Sequence, residues 1–404
     1  MSSISHRLSL FLCGALLPSV ALLASACSRT HESPPASIAD ASTVSSAHDP
    51  APPAPVAPTE AEDGRAEALA PPSPRQFTEQ FSTFSEGDRY FFSDNYISNE
   101  TSYLQIADDL EPRGGAYIGV GPEQNFTYIA RTRPEVAYIV DIRRGNALLH
   151  LMYKAVFHQA RNRSEFVARL IGREAAIEEP KGASLGQVLQ SGAGAKPSPE
   201  EFERVHAALL KYIQGDLGVS LSSKDLETLR DTHGAFAKQG LDLRFELHQK
   251  NGRHYPSLRE LLEAKSEGGT GSFLGSADEF AFLRDMQEQH RIVPIVGDFA
   301  GDQALAKIAE ELERRKLTVS VFYTSNVEQY LMEPETWKRW VRNIQALPSS
   351  DHSQFIRCYL DQGRHHPKQL KGHRTATVLQ PFSRFKAEQS KHGYKSFWQL
   401  VTDG

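Results

Sequence analysis

Short polar groups stand where apolar runs end. Ala116-Tyr117-Ile118 leads into Gly119-Val120-Gly121, and Val136 to Val140 leads into Asp141. Ile292 to Val296 leads into Gly297-Asp298, and Leu317 to Tyr323 leads into Thr324-Ser325-Asn326. Two glycines one residue apart permit a tight turn and close approach of a ligand to the backbone. Asp141 follows Gly121 by 20 residues. That is where nucleoside-binding folds place a carboxylate for ribose hydroxyls. Asp298 stands where a polar side chain meets an adenine amine. Each residue also has a plainer reading. Gly119 and Gly121 suit any tight turn, Asp141 can pair with Arg143 or Arg144, and Asp298 can cap the next segment. Ser325-Asn326-Val327-Glu328 reads as a capping box. Taken in order, Gly119, Gly121, Asp141, Asp298 and Asn326 point to a nucleoside-type pocket.

A second group precedes the first of these runs. Tyr90, Phe91, Phe92, Tyr96 and Tyr103 surround Ser93-Asp94-Asn95 and Ser98-Asn99-Glu100. Aromatic rings with short polar residues can wall a ligand pocket, which makes Tyr96, Asn99, Glu100 and Tyr323 pocket candidates. The alternative is an N-terminal helix packing its rings on a sheet, with Ser98 as its cap. Arg364 to Arg374 is a basic, His-rich stretch that reads mainly as a solvated loop. No His/Cys spacing fits structural zinc, and no nucleophile elbow or Walker loop is present.

These residues need a scaffold with strand tips in a row. Five nearly continuous apolar runs, the fifth at Gln354–Leu360, suit strands covered on both faces. A helix follows Asp302, its proposed cap, and ends in Arg314-Arg315-Lys316. Strand–helix–strand alternation implies a mostly parallel, Rossmann-like α/β sheet. About 150 residues separate the second and third strands, too many for one crossover. Residues 146–285 therefore read as a helical insertion, with helices from Asn146, after Ser198-Pro199 and after Ser222. Gly182–Pro197 and Glu267–Gly275 read as Gly/Ser-rich loops. Pro294 suits an edge strand.

The N-terminus carries a different signal. Arg7 precedes an apolar run from Leu8 to Leu23, and Ala24-Ser25-Ala26-Cys27 closes it. This is the pattern of a secretory signal, and Cys27 after small residues resembles a bacterial lipobox. The expectation is a signal at 1–26, a lipid on Cys27, a Pro/Ala/Ser-rich stalk over 27–75 that cannot build a core, and a folded body at 76–404. The lipid would anchor the chain to a bacterial membrane, facing periplasm or cell surface; a plain anchor helix is the alternative. The net charge of −5 and the lack of a long basic stretch speak against nucleic acid as partner. Of three cysteines, only Cys358 remains for the body, as a buried thiol.

The succession YIGVGPEQNF, VAYIVDIRR, VPIVGDF and VSVFYTSNVEQYL resembles the motifs of S-adenosylmethionine-dependent methyltransferases. SDNYISNETSYLQ and DIRRGNALLHLMYKAVF more closely resemble a bacterial family of unassigned activity with a methyltransferase-like fold. The resemblance covers most of 85–345. It implies S-adenosylmethionine as a cofactor and, for Tyr96, Glu100, Tyr323 and Asn326, a place near an acceptor. The chain departs from the pattern at Ala116-Tyr117-Ile118, which lacks an acidic residue, and at Glu123, where a third glycine is usual. S-adenosylmethionine is made in the cytoplasm. An exported body is therefore expected to bind a ligand without methyl transfer, with an active methyltransferase as the alternative.

Overall fold

The computed structural model describes residues 70–174, 176–249 and 253–403. The signal, Cys27 and most of the stalk lie outside them.

Helix α1 (Pro74–Thr83) opens the described chain under a Ser73 capping box. An irregular stretch and a 3-10 turn (Tyr103–Asp109) lead to β1 (Ala116–Gly119), α2 (Gln124–Thr132) and β2 (Val136–Asp141). The insertion then runs through α3 (Arg144–Gln159), α4 (Arg163–Leu170), α5 (Leu185–Ala193), α6 (Pro199–Lys211), α7 (Ser223–Gln239), α8 (Leu258–Glu263) and α9 (Ala277–Glu288). The sheet resumes with β3 (Ile292–Val296), α10 (Ala304–Arg314), β4 (Val319–Ser325), α11 (Pro334–Ala346), β5 (Ser349–Leu360) and β6 (Thr375–Pro381). Helices α12 (Phe382–Lys391) and α13 (Phe397–Thr402) follow.

The six strands lie in the order β3-β2-β1-β4-β5-β6. The first five are mutually parallel, and β6 runs antiparallel to β5. This is a Rossmann-like sheet of the methyltransferase type with a large helical insertion between β2 and β3. Every residue of β1, β2 and β3 is buried, which explains why their apolar runs do not alternate. Pro294 sits opposite Ile139 on β3, the edge strand. Strand order reverses between β1 and β4, and that leaves a crevice at their carboxyl ends.

Several local expectations are corrected. Asp302 does not cap α10: it pairs with Arg342 at 2.7 Å. The Glu86 carboxylate accepts from the N–H groups of Gln303 and Ala304 instead, at 3.2 and 2.9 Å. Gly182–Pro197 is not all loop, because Ser184 and Gln187 form a capping box that starts α5. Ser98 caps no helix. The aromatic stretch before it is irregular, and its hydroxyl donates to Gln124 Oε1. The antiparallel β6 is an addition to the five expected strands.

Candidate functional site

The strand tips border a cavity of about 580 Å³, within the size range of small-molecule sites. Val120 and Gly121 follow β1, Asp141 ends β2, and Gly297 and Asp298 follow β3. Tyr323 and Ser325 belong to β4, and Asn326 comes next. A second wall comes from the irregular stretch, through Phe91, Ser98, Asn99 and Glu100. The insertion adds Phe245, Leu247 and Tyr255. Arg244 and Ser257 pair in an isolated bridge on either side of them, and Glu246 and His248 lie against the second wall. There, His248 N–H donates to Phe92 O at 3.0 Å, and Ser93 Oγ donates to Glu246 O at 2.7 Å.

The glycines divide their work. Gly121 lines the cavity at φ +76, with open space where a side chain would project. Its carbonyl accepts from His150 Nε2 at 2.8 Å, and burial depresses the His150 imidazolium to about 4. Gly119 does not line the cavity. A side chain there would collide with Asn125 and Tyr117, so its smallness serves internal packing. Asn125 reinforces the turn by donating to the carbonyls of Val120, Gly121 and Pro122.

Asp141 is fastened to Arg143. Its Oδ1 accepts from the Arg143 backbone N–H and Nε, both at 3.0 Å, and its Oδ2 accepts from Nη2 at 2.8 Å. A carboxylate offers about four lone-pair sites, so one on Oδ2 stays open for a ligand donor. Arg143 also donates to the carbonyls of Ser93 and Asp94. Asp298 pairs with Arg89 and accepts from Ala300 N–H at 2.8 Å. It is thus both the expected cap of the next segment and part of the cavity wall.

Glu100 is the most enclosed acid in the cavity wall, at 1% exposure. It accepts from Tyr323 OH at 2.8 Å, from Gln124 Nε2 at 3.0 Å and from Ser325 Oγ. Burial pushes its carboxyl above the usual range against the pull of these donors. Glu123 does not project among the lining residues. Its two oxygens accept the Ser98 N–H at 3.2 Å, and burial raises it to about 7. The missing third glycine is thus a clasp between the two walls.

Other sequence candidates fall elsewhere. Tyr96 is not among the lining residues; its hydroxyl lies near Thr232 on α7. Glu328 forms no capping box: it is fully buried and paired with Arg357. Cys358 is wholly buried, its thiol pushed well up by burial. Periodicity gave no sign of Phe245, Leu247 or Tyr255, which lie in an irregular segment. Exposed Tyr330 at the mouth packs edge-on to Phe91, with ring centroids 6.0 Å apart. Among the described residues no helix is long and apolar enough to cross a membrane, and no group of three or more His, Cys, Asp or Glu could hold a metal.

The model of a family described as a domain of unknown function (DUF7790) matches residues 96–181 and 201–403. That span takes in the strand tips and, of the second wall, Ser98, Asn99 and Glu100, while Phe91 lies before it. No curated protein matches the chain.

Proposed function

The chain belongs to the DUF7790 family, and on that footing we propose that its cavity binds a nucleoside-type small molecule. S-adenosylmethionine is the first candidate, and the body is tethered to a membrane through a lipid on Cys27. The observation that carries the pocket reading is the cavity's position. It sits at the carboxyl ends of a sheet whose order reverses between β1 and β4, with polar handles from separate strand tips. Open α/β sheets bind ligands there.

The residues fit a nucleoside in part. Gly121 leaves room for close approach, Asp141 keeps one acceptor site for a hydroxyl, and Asp298 and Asn326 flank it. Their pairing with arginines leaves Asp141 and Asp298 little surplus charge. Bound S-adenosylmethionine would supply an activated methyl group. Binding without transfer is the preferred reading, because an exported body lacks a supply of that donor. Methyl transfer is the second reading, and the protonatable Glu100 beside Tyr323 at the cavity wall favours it.

Calorimetry on the full chain in detergent micelles tests the pocket. S-adenosylmethionine is expected to bind with a micromolar Kd, and Asp141→Ala to weaken it at least ~tenfold, or about 1.4 kcal/mol. A melting curve of the variant controls for folding. Absence of heat with both S-adenosylmethionine and adenosine would end the nucleoside reading. Methyl-labelled donor incubated with cell-envelope extract tests the second reading. Label incorporated by the parent chain and not by Asp141→Ala would establish transfer.

A further inference from the structure

We propose that Glu100 makes this cavity selective for a cationic ligand group, a protonated amine or a sulfonium, held as an ion pair with its carboxylate. The proposal rests on the reading of the cavity as a ligand site and names the chemistry that site prefers.

Among the described residues, three carboxyl side chains line the cavity: Asp141, Asp298 and Glu100. The first two already have cations, Arg143 and Arg89. Glu100 has none. Its donors are a phenol, an amide and an alcohol, from Tyr323, Gln124 and Ser325. The groups packed around it point the same way. Tyr117 comes from β1, Glu123 and Tyr128 from the start and middle of α2, Tyr323 from β4 and Cys358 from β5. Each of these can only lose a proton to become negative, and none can become positive. Burial biases each of them toward its neutral form.

A buried carboxyl without a counter-ion is biased toward its protonated form, because a lone charge in a low dielectric is costly. A cation beside it reverses that balance, so binding releases the proton. The aromatic rings of Phe91, Tyr255 and Tyr330 also line the cavity, and ring faces attract cations in desolvated sites. Arg89, Arg143 and Arg253 line the cavity as well; the first two are paired with Asp298 and Asp141, and an anionic ligand would still face the Glu100 carboxyl.

The test is calorimetry on the full chain in detergent micelles at pH 6, in phosphate and in ACES buffer. These buffers differ in ionisation enthalpy, so the difference in heat counts protons released. The probes are S-adenosylmethionine, which has a sulfonium and an ammonium, S-adenosylhomocysteine, which has the ammonium alone, and adenosine, which has neither. S-adenosylmethionine is expected to bind at least ~tenfold tighter than adenosine and to release up to about one proton. S-adenosylhomocysteine should fall between them. Glu100→Gln should abolish both the gain over adenosine and the release. The proton count on the unaltered chain decides the matter even if that variant folds poorly. If adenosine binds and the charged probes gain nothing and release nothing, the proposal fails and the nucleoside reading survives. If none of the three binds, both fail.

Discussion

Glu123 shows how much one residue can carry. Its carboxyl is raised from 4.5 to about 7, chiefly by burial and partly by nearby Glu100, against the Ser98 N–H that favours the charge. Between those values the folded chain holds a proton that the unfolded chain has released. Stability therefore falls as pH rises from about 4.5 to 7, by about 3 kcal/mol at 1.36 kcal/mol per unit. Glu123→Gln keeps an acceptor for Ser98 and removes the titration. In urea unfolding, the variant should gain about 3 kcal/mol on the parent between pH 5 and pH 8, and a constant difference would contradict the assignment. The sequence marked this residue only as a missing glycine. Asp141, Asp298, Asn326, Asn99, Glu100 and Tyr323 were legible because each stands at a strand tip or beside an aromatic cluster. Whether Asp141 would face a ligand or Arg143 was not legible, since the two residues' spacing allows either. Tyr96 misled because the irregular stretch, unlike a helix, has no period from which to tell which side a ring takes.

At the scale of elements, one buried pair fixes the β4 side of the cavity. Glu328 accepts from Arg357 Nε at 2.5 Å and Nη2 at 3.0 Å, from Thr324 Oγ1 at 3.0 Å and from Trp340 Nε1 at 3.2 Å. Arg357 continues to Gln380 on β6 at 2.6 Å and lies 4.1 Å over the Phe355 ring. The turn after β4, which carries Asn326 and Tyr330, is thereby tied to β5, β6 and α11. Arg357→Met leaves Glu328 without its counter-ion and should cost about 3–5 kcal/mol. Combining it with Glu328→Gln should recover part of that loss. Chemical denaturation of the two variants checks both, and a single-variant loss below ~1 kcal/mol would count against the pair as a fastener. The parallel strands were legible because burial on both faces leaves uninterrupted apolar runs. The pairing of Glu328 was not, because its partner lies on another strand. The short α5 was hidden in a Gly-rich stretch whose only helix signal is the Ser184-to-Gln187 spacing. The insertion was legible as a length and a helical period, but its contribution to the cavity comes from a non-helical segment that no period marks.

For the molecule as a whole, place and ligand constrain each other. No helix among the described residues, all of which lie beyond position 69, can cross a membrane. The sequence of residues 1–69 offers two routes of retention: a lipid on Cys27, or an uncleaved anchor from Leu8 to Ala26. They differ in whether the cysteine sulfur is acylated and the first 26 residues removed. Cys27→Ser removes the acylation site and leaves the apolar run intact. Under the lipid reading this variant should lose palmitate labelling, keep its signal uncleaved and show the mass of the full precursor. The parent should be shorter by the first 26 residues and heavier by the lipid. Under the anchor reading the two chains would have the same cleavage state and neither would label. Mass spectrometry of both from the membrane fraction separates the readings without relying on fractionation, which an uncleaved apolar run would blur. The outcome bears on the cavity as well. A lipidated, exported body has no cytoplasmic supply of S-adenosylmethionine, and its Glu100 would then meet some other cation. An uncleaved anchor with Arg7 on the cytoplasmic side would export the body as well; only a chain that is not exported would restore that donor and bring methyl transfer back as the first reading.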